Sequence, residues 1–435
     1  MNIYYYTLGC KVNQYETENI KQALEQKNFN TVTDMAKADI AIVNTCTVTS
    51  RSDLKCRQIL HKIKKASPDC ILVLTGCFPQ AFTDDAEGMT ECDIITGASN
   101  KSKIPEYIDE YLAHRQRIIN IPPHTKNEKF ELMSNRQVTE KTRAYMKIQD
   151  GCDQYCTYCI IPYARGHIRS KPLKDIKNEA RILAKSGHKE IVAVGINLCC
   201  YGKDLGDNIR LVDAIEAICI AVDDCRVRLG SIEPEMILDD DILRLSKLKN
   251  LCPQFHLSLQ SGCDKTLKTM NRKYNCDEYK RLCNKLRNAF PDCAITTDVM
   301  VGFAGETDED FNESLDFVES IGFSKVHVFP YSVRKGTVAA KRSDQIPKNV
   351  KEHRAYEMRK LCDSQRKIFL KSMKDKIFPV LFEKESSAEF HQGYTPNYTP
   401  VKVSRISEDI SLRRQIHNVK ITESSDDFCY GEIID

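Results

Sequence analysis

The sequence predicts an α/β fold in three parts: an N-terminal parallel α/β domain, a central partial (β/α)6 barrel and a small C-terminal antiparallel β-barrel. Three observations carry this. Over residues 1–112 short β-rich runs alternate with helical runs; between 144 and 330 six apolar strand candidates are separated by helical stretches; and residues 373–435 hold short β-rich runs joined by turn-forming segments.

The first domain, 1–112, reads IYYYTL, a helix over about 16–26, ADIAIVNT, a helix over about 53–65, ILVLTG and DIITG, which is a Rossmann-like order of strand and helix. Cys10 follows the first of these strands, Cys46 the second and Cys77 the third. Strand C-termini share one edge of an open parallel sheet, so three thiols far apart in sequence are expected to converge there in ligand geometry for a metal cluster. The alternative is three unrelated loop cysteines. Residues 113–143 turn polar and aperiodic, with a proline pair, and read as a linker.

The second domain, 144–372, carries the strands AYMKIQ (144–149), EIVAVG (190–195), RVRLGS (226–231), FHLSLQ (255–260), AITTDVMVG (294–302) and KVHVFP (325–330). Six consecutive β-α units suggest a partial barrel whose reactive face is built from the loops after the strands. Its last part, 334–376, holds 14 Lys and Arg against 5 Asp and Glu and includes a long helix from about 350. That is either a solvated helix face or a contact for a polyanion. The β-rich tail, 373–435, reads FPVLFEKE, TPVKVSRI, HNVKITES and CYGEII, a small barrel of the kind that holds oligonucleotides.

Composition narrows the function classes. Sixty-four Lys and Arg against 61 Asp and Glu leave a net charge of +3, too little for strong overall attraction to polyanions, so affinity for nucleic acid has to be local. No run approaches the roughly 18 consecutive apolar residues of a membrane-spanning helix, and MNIYYYTLGC has no basic region leading into an apolar core. A cytoplasmic protein with no membrane contact is expected. Twenty cysteines in such a chain point to metal binding or thiol chemistry rather than a disulfide framework. Most must still be packing residues; Cys70, Cys219, Cys283 and Cys362 are expected to be of that kind.

The sharpest motif is Cys152-Asp-Gln-Tyr-Cys156-Thr-Tyr-Cys159, directly after the first barrel strand. Three thiolates on one short loop can ligate three irons of a 4Fe-4S cube and leave the fourth open to a substrate or cofactor. Structural zinc wants a fourth ligand, and none lies close in sequence.

At these residues the chain resembles the radical S-adenosylmethionine superfamily, and the resemblance narrows to its methylthiotransferases. TLGCKVNQYETE (7–18), NTCTVT (44–49) and TGC (75–77) are similar to their N-terminal domain, and DGCDQYCTYCIIPYARG (150–166) to their radical loop. SIEP (231–234), HLSLQSGCDKTLKTMNRKY (256–274), TTDVMVGFAGET (296–307) and VFPYSVRKGT (328–337) continue the match over essentially the whole chain. GCKVNQ and GYTPNY (393–398) resemble the bacterial-type branch that acts on N6-threonylcarbamoyladenosine (t6A) in tRNA. The chain departs from the family at Ala304, Val333 and Val338, where proline is common, which bears on loop rigidity rather than on a ligand.

The resemblance implies a radical S-adenosylmethionine barrel between a methylthiotransferase domain and a TRAM-like RNA-binding domain. It implies that Cys152, Cys156 and Cys159 hold the catalytic 4Fe-4S cluster that cleaves S-adenosylmethionine to a 5′-deoxyadenosyl radical, and that Cys10, Cys46 and Cys77 hold a second 4Fe-4S cluster carrying the sulfur. The implied reaction puts a methylthio group on carbon 2 of the modified adenosine beside the anticodon, with S-adenosylmethionine as methyl donor and radical source. Implied partners are a tRNA anticodon stem-loop, an electron donor of the flavodoxin or ferredoxin kind and a sulfur source. Isopentenyladenosine in tRNA and an aspartate of a ribosomal protein are alternative substrates, and a non-catalytic iron-sulfur RNA-binding regulator is an alternative class.

By strand-end position Tyr158, Asn197, Glu233, Gln260 and Asp298 are candidates to bind S-adenosylmethionine, or else polar residues of the barrel interior making structural hydrogen bonds. Arg334 is a candidate for carboxylate or RNA phosphate, or a plain surface arginine. Phe390, Tyr394 and Tyr398 are candidates to stack unpaired bases, or barrel core. Cys199 and Cys200, near the second strand end, are read as apolar fillers or as oxidisable thiols.

Overall fold

The computed structural model describes residues 1–133, 142–206, 208–385, 389–405 and 411–434. Its N-terminal part is a parallel sheet of β1 (Asn2–Thr7), β2 (Asn30–Val32), β3 (Ile40–Thr45), β4 (Ile71–Gly76), β5 (Ile94–Thr96) and β6 (Ile118–Asn120), in the order β2-β1-β3-β4-β5-β6. Both central strands, β3 and β4, are buried along their whole length, as apolar runs covered on both faces must be. Alternate residues serve opposite faces. Ala41, Val43, Leu72 and Leu74 pack under α2 (Ser50–Ala66), while Ile40, Ile42, Ile71 and Val73 pack under α1 (Lys11–Glu25). The strand order reverses at β1 and β3, so a crevice opens at their C-terminal ends.

The stretch 113–143 differs from the linker expected of it. Ile118 and Ile119 pair with Ile94 and Ile95 as the edge strand β6, a run too short to read as a strand without its partner. The polar residues that follow meet the barrel: Glu128 accepts from Arg169 at 2.7 Å, and Lys147 and Lys171 lie over the Phe130 ring at 5.3 and 5.4 Å. Residues 134–141 of that stretch lie outside the described residues.

The central part is an arc of parallel strands: β7 (Arg143–Lys147), then Glu190–Val194, Arg226–Leu229 continued after Gly230 by Ser231–Ile232, Gln254–Leu257, Ala294–Val301 and Lys325–Pro330. The third strand breaks at Gly230; its first half pairs with Glu190–Val194 and its second with Gln254–Leu257, so the arc turns there. Helices cover the outside, where Ile191 and Ala193 join the largest core. On the inner face Val192 and Val194 receive Val12 of α1, with Tyr145 and Ile196 alongside. The N-terminal domain therefore leans into the concave side of the arc.

The C-terminal part is a closed five-stranded barrel, with Leu370 and Met373 from the preceding helical segment in its core. It departs from a purely antiparallel barrel at one pair, Pro400–Ser404 with Cys429–Ile433, which is parallel. A closed ring with an odd number of strands cannot alternate throughout. This barrel docks on the N-terminal ends of the arc. Tyr394 and Tyr398 stack at 4.7 Å, Arg143 covers both rings, and Arg228 covers Tyr398 at 4.6 Å. Arg226 Nη1 donates to the Tyr394 carbonyl at 3.3 Å. These two tyrosines thus serve the interface between domains, whereas Phe390 groups with Tyr430 and Lys402.

Tyr398→Ala removes a ring that two desolvated guanidiniums share, and is expected to cost about 2 kcal/mol at this interface. Thermal unfolding and faster limited proteolysis around residues 372–377 would register it; unchanged protection would contradict the docking.

Candidate metal centres at the barrel mouth

Three thiols meet at the crevice of the first sheet. Cys10 caps α1, Cys46 follows β3, and Cys77 begins the short helix α3 (Cys77–Ala81). Two glycines allow the approach. Gly9 has φ of +104°, and a Cβ on it would lie 2.6 Å from Cys46 Cβ; Gly76 has φ of +108°, and a Cβ there would lie 2.5 Å from the Thr45 carbonyl. Cys46 and Cys77 are buried and Cys10 is exposed. Burial pushes the Cys46 thiol up to about 12, with Cys77 and Cys10 adding to the shift. The thiol of Cys10 is crowded by protein atoms although the residue as a whole is exposed, and that loss of solvation raises it as well, against the pull of Arg165.

Arg165 ends the helix Ile161–Arg165, which directly follows the second cysteine group, and it is fully buried. Its Nε donates to Cys77 Sγ at 3.2 Å, Nη2 to Asn13 Oδ1 at 2.6 Å, and Nη1 to Glu16 Oε1 at 2.5 Å. Glu16 also pairs with Lys101 and, at 3.0 Å, with Lys147, which reaches Asp150 at 2.9 Å. Burial alone would raise the Glu16 carboxyl, but Arg165, Lys101 and Lys147 together hold it well below the usual carboxylate range. Arg165, Lys147 and Lys101 gather around Glu16 and Asp150, and Arg165 turns its Nε to Cys77, a placement that suits an anionic thiolate.

The second group, Cys152, Cys156 and Cys159, sits on the loop after β7. Tyr155 within it is left-handed, with φ of +48°. The loop is tied to the segment 269–272: Thr157 N–H donates to the Met270 carbonyl at 3.0 Å, and Asn271 Nδ2 to the Tyr155 carbonyl at 3.1 Å. That segment also supplies Arg272, whose Nη1 donates to Cys156 Sγ at 3.4 Å while Nη2 pairs with Glu233. Burial pushes the Cys159 thiol up to about 12 and raises Cys152, which Asn197 Nδ2 approaches at 3.8 Å.

Asn197, Glu233 and Tyr158 therefore stand around these thiols. Asn197 Oδ1 is buried with no partner among the described residues, an acceptor left open beside Cys152. Burial raises the Glu233 carboxyl against the pull of Arg272. Tyr158 packs edge-on to Phe303 and belongs in part to a small core. Gln260 is left-handed at φ of +68°, and its N–H donates to the Asp298 carbonyl at 2.9 Å. Asp298 lies 3.4 Å from His256, on the inner face and apart from the thiols.

Other expectations resolve differently. Arg334 is neither a surface arginine nor a phosphate ligand: it is buried, paired with Asp53 at 2.8 Å and donating to Thr47 Oγ1 at 2.7 Å, beside the Cys46 loop. Cys199 and Cys200 are buried, and burial pushes Cys200 up to about 12. Cys199 Sγ accepts from the Glu233 N–H at 3.2 Å, so it holds that backbone as well as filling space. Sequence reading passed over Arg165 and Arg272. Both lie inside quoted motifs, ARG and NRKY, but nothing local distinguishes a buried arginine from a surface one.

Donor chemistry tests which metal these groups fit. All six cysteines are free thiols. Three thiols near enough to shift one another's protons, at each of two places, fit a polynuclear cluster that puts one iron at each sulfur.

Comparison with known proteins agrees. Residues 146–318 match the Radical SAM superfamily and residues 2–97 match Uncharacterized protein family UPF0004. The chain is 35% identical to the threonylcarbamoyladenosine tRNA methylthiotransferase MtaB of Bacillus subtilis (strain 168), covering 99% of this chain and 96% of the relative. It is 39% identical to the MtaB of Thermotoga maritima over 80% of this chain and 79% of that one. It is also 35% identical to a tRNA-2-methylthio-N(6)-dimethylallyladenosine synthase of Thermoanaerobacter sp. (strain X514), covering 100% and 93%. Among solved structures, the fold is similar to the radical S-adenosylmethionine methyltransferase TsrM of Kitasatospora setae. The TM-score is 0.59 at 12% identity, over 78% of this chain and 77% of that one.

Glu16→Gln leaves three buried cations short of a carboxylate and is expected to cost about 3–5 kcal/mol in urea titration. The Glu16 carboxyl is depressed in the fold, so its contribution is complete above about pH 5 and is lost as pH falls through the folded value. The variant should show a shallower loss of stability in acid than the parent protein.

Proposed function

Because the chain belongs to the radical S-adenosylmethionine methylthiotransferases, enzymes that use an iron-sulfur cluster and S-adenosylmethionine to modify tRNA, we propose that it converts N6-threonylcarbamoyladenosine beside the anticodon to its 2-methylthio derivative. Two 4Fe-4S clusters serve this reading, one on Cys152, Cys156 and Cys159 and one on Cys10, Cys46 and Cys77. The observation that carries it is the joining of two three-thiol groups through Arg165. For the substrate, support comes from the Bacillus and Thermotoga relatives, both named for threonylcarbamoyladenosine.

When bound, the first cluster would supply the electron that cleaves S-adenosylmethionine and so opens the unactivated C–H bond at carbon 2 to attack. The protein's own part is positioning and charge. Arg272 offsets anionic charge at Cys156 and holds Glu233 in place. Asn197 offers its free amide oxygen to a cofactor donor, with Glu233 and Tyr158 beside it and Gln260 and Asp298 further along the inner face. Arg165 holds Cys77 and the second cysteine loop in one rigid body, which sets the spacing between sulfur and substrate.

The reading divides the chain into a first domain whose sheet runs on to β6, a central domain to about 372 and a tail, 373–435, as the RNA-holding, TRAM-like domain, with the basic stretch 334–376 attracting phosphate. It acts in the cytoplasm with a flavodoxin-like or ferredoxin-like donor and a sulfur source. Among the described residues no helix is long and apolar enough to cross a membrane. Membership of an enzyme family sets aside the non-catalytic regulator.

Cys152→Ala is expected to abolish both 5′-deoxyadenosine release and product, while Cys77→Ser spares at least part of the release and loses methylthio transfer. Six cysteine variants that all cleave S-adenosylmethionine alike would refute the division of labour. Nucleoside mass spectrometry after anaerobic incubation with tRNA bearing threonylcarbamoyladenosine or isopentenyladenosine decides the substrate. Product only from the second would move the chain to the branch of the Thermoanaerobacter relative.

A further inference from the structure

Lys11 is the first residue of α1 and directly follows Cys10. Its neighbour Val12 is buried against Val192 and Val194 on the inner face of the arc, whereas Lys11 itself is exposed. Its charge is felt by Arg143, Glu190 and Arg228 on three adjoining strands and, across the barrel, by His327 on Lys325–Pro330. The ammonium therefore stands on the inner side of the arc, next to the N-terminal thiols.

The other charges there already have partners. Arg228 holds Glu190 through two bonds of 2.8 and 3.0 Å, and Arg143 bridges Glu190 at 2.7 Å and Glu383 at 2.6 Å. Asp298, the carboxylate on the facing strand, lies against His256 at 3.4 Å. Lys11 makes no ion pair among the described residues. Arg143 and Arg228 outweigh Glu190 in the field at Lys11, so the ammonium stands among like charges with no carboxylate of its own.

We infer that Lys11 selects the substrate by binding the free carboxylate of the threonine group on the adenosine. The assignment rests on the threonylcarbamoyladenosine reading. A dimethylallyl group is a bare hydrocarbon; seated there it would strip water from the ammonium and return nothing, so one lysine both attracts the one substrate and disfavours the other. Because Lys11 adjoins Cys10, a carboxylate held by it keeps the attached base within one side chain's reach of the sulfur-carrying site. Lys11 touches substrate and takes no part in radical formation.

The test is binding, read by fluorescence anisotropy of three anticodon stem-loop RNAs on the cluster-reconstituted protein. They carry threonylcarbamoyladenosine, its methyl ester, or isopentenyladenosine. The unaltered protein is expected to bind the acid about tenfold more tightly than the ester, the size of one charge-assisted contact. Lys11→Gln should bring the two within about twofold, and Lys11→Arg should keep the difference. Equal binding of acid and ester by the unaltered protein, with the isopentenyl RNA still weaker, would overturn the Lys11 assignment alone, as would a Lys11→Gln protein that keeps the full difference. Tighter binding of the isopentenyl RNA would overturn the substrate reading beneath it.

Discussion

The architecture depends on one buried ion network, in which Arg165 meets Glu16. Glu16 belongs to the first helix and Arg165 to the loop after the first barrel strand, 149 residues apart in the chain. Neither tolerates burial unpaired, since a lone charge in so dry a site costs several kcal/mol. Each has one partner in its own domain, Lys101 for Glu16 and Asp150 for Arg165, and completes its pairing only when the other domain is seated. The same guanidinium reaches Cys77, so correct seating and correct placement of a thiol are one event.

A second seam reinforces the first. Arg334 pairs with Asp53 at the start of α2, and Ser50 donates to the Val333 carbonyl at 3.1 Å. The arc's two ends thus both grip the N-terminal domain, β7 through Lys147 and the strand Lys325–Pro330 through the loop that follows it. An open arc of parallel strands exposes its inner face, and here that face is partly covered by α1 and closed at its base by the tyrosine and arginine stack from the C-terminal barrel. Lys11, His256, Asp298 and His327 lie within one another's fields and make the part left between them polar.

Charge is distributed with the same logic. Cations stand beside both thiol groups, Arg165 at Cys77 and Arg272 at Cys156. Burial by itself raises the Cys46 and Cys159 thiols and so opposes metal binding, which needs thiolate. A nearby guanidinium that cannot lose its proton offsets that penalty without competing as a ligand.

Much of this was legible in the chain itself. Strand ends, the three-cysteine loop and the order of β-α units are local properties, carried by apolar periodicity and by cysteines at short or strand-end spacings, so the fold class and the two thiol groups could be read directly. What only the tertiary structure decided is the use of the charged residues. Arg165, Arg272, Arg334, Lys101 and Lys147 look like any exposed cation in sequence, because burial and pairing are created by contacts between segments dozens to hundreds of residues apart. The fate of Tyr394 and Tyr398 has the same cause: an aromatic pair in a β-rich tail is open to RNA or to packing until a neighbouring domain presents arginines to it. The cysteines could be singled out from their local spacing and strand-end positions, whereas the charges acquired their use only when two domains closed on them.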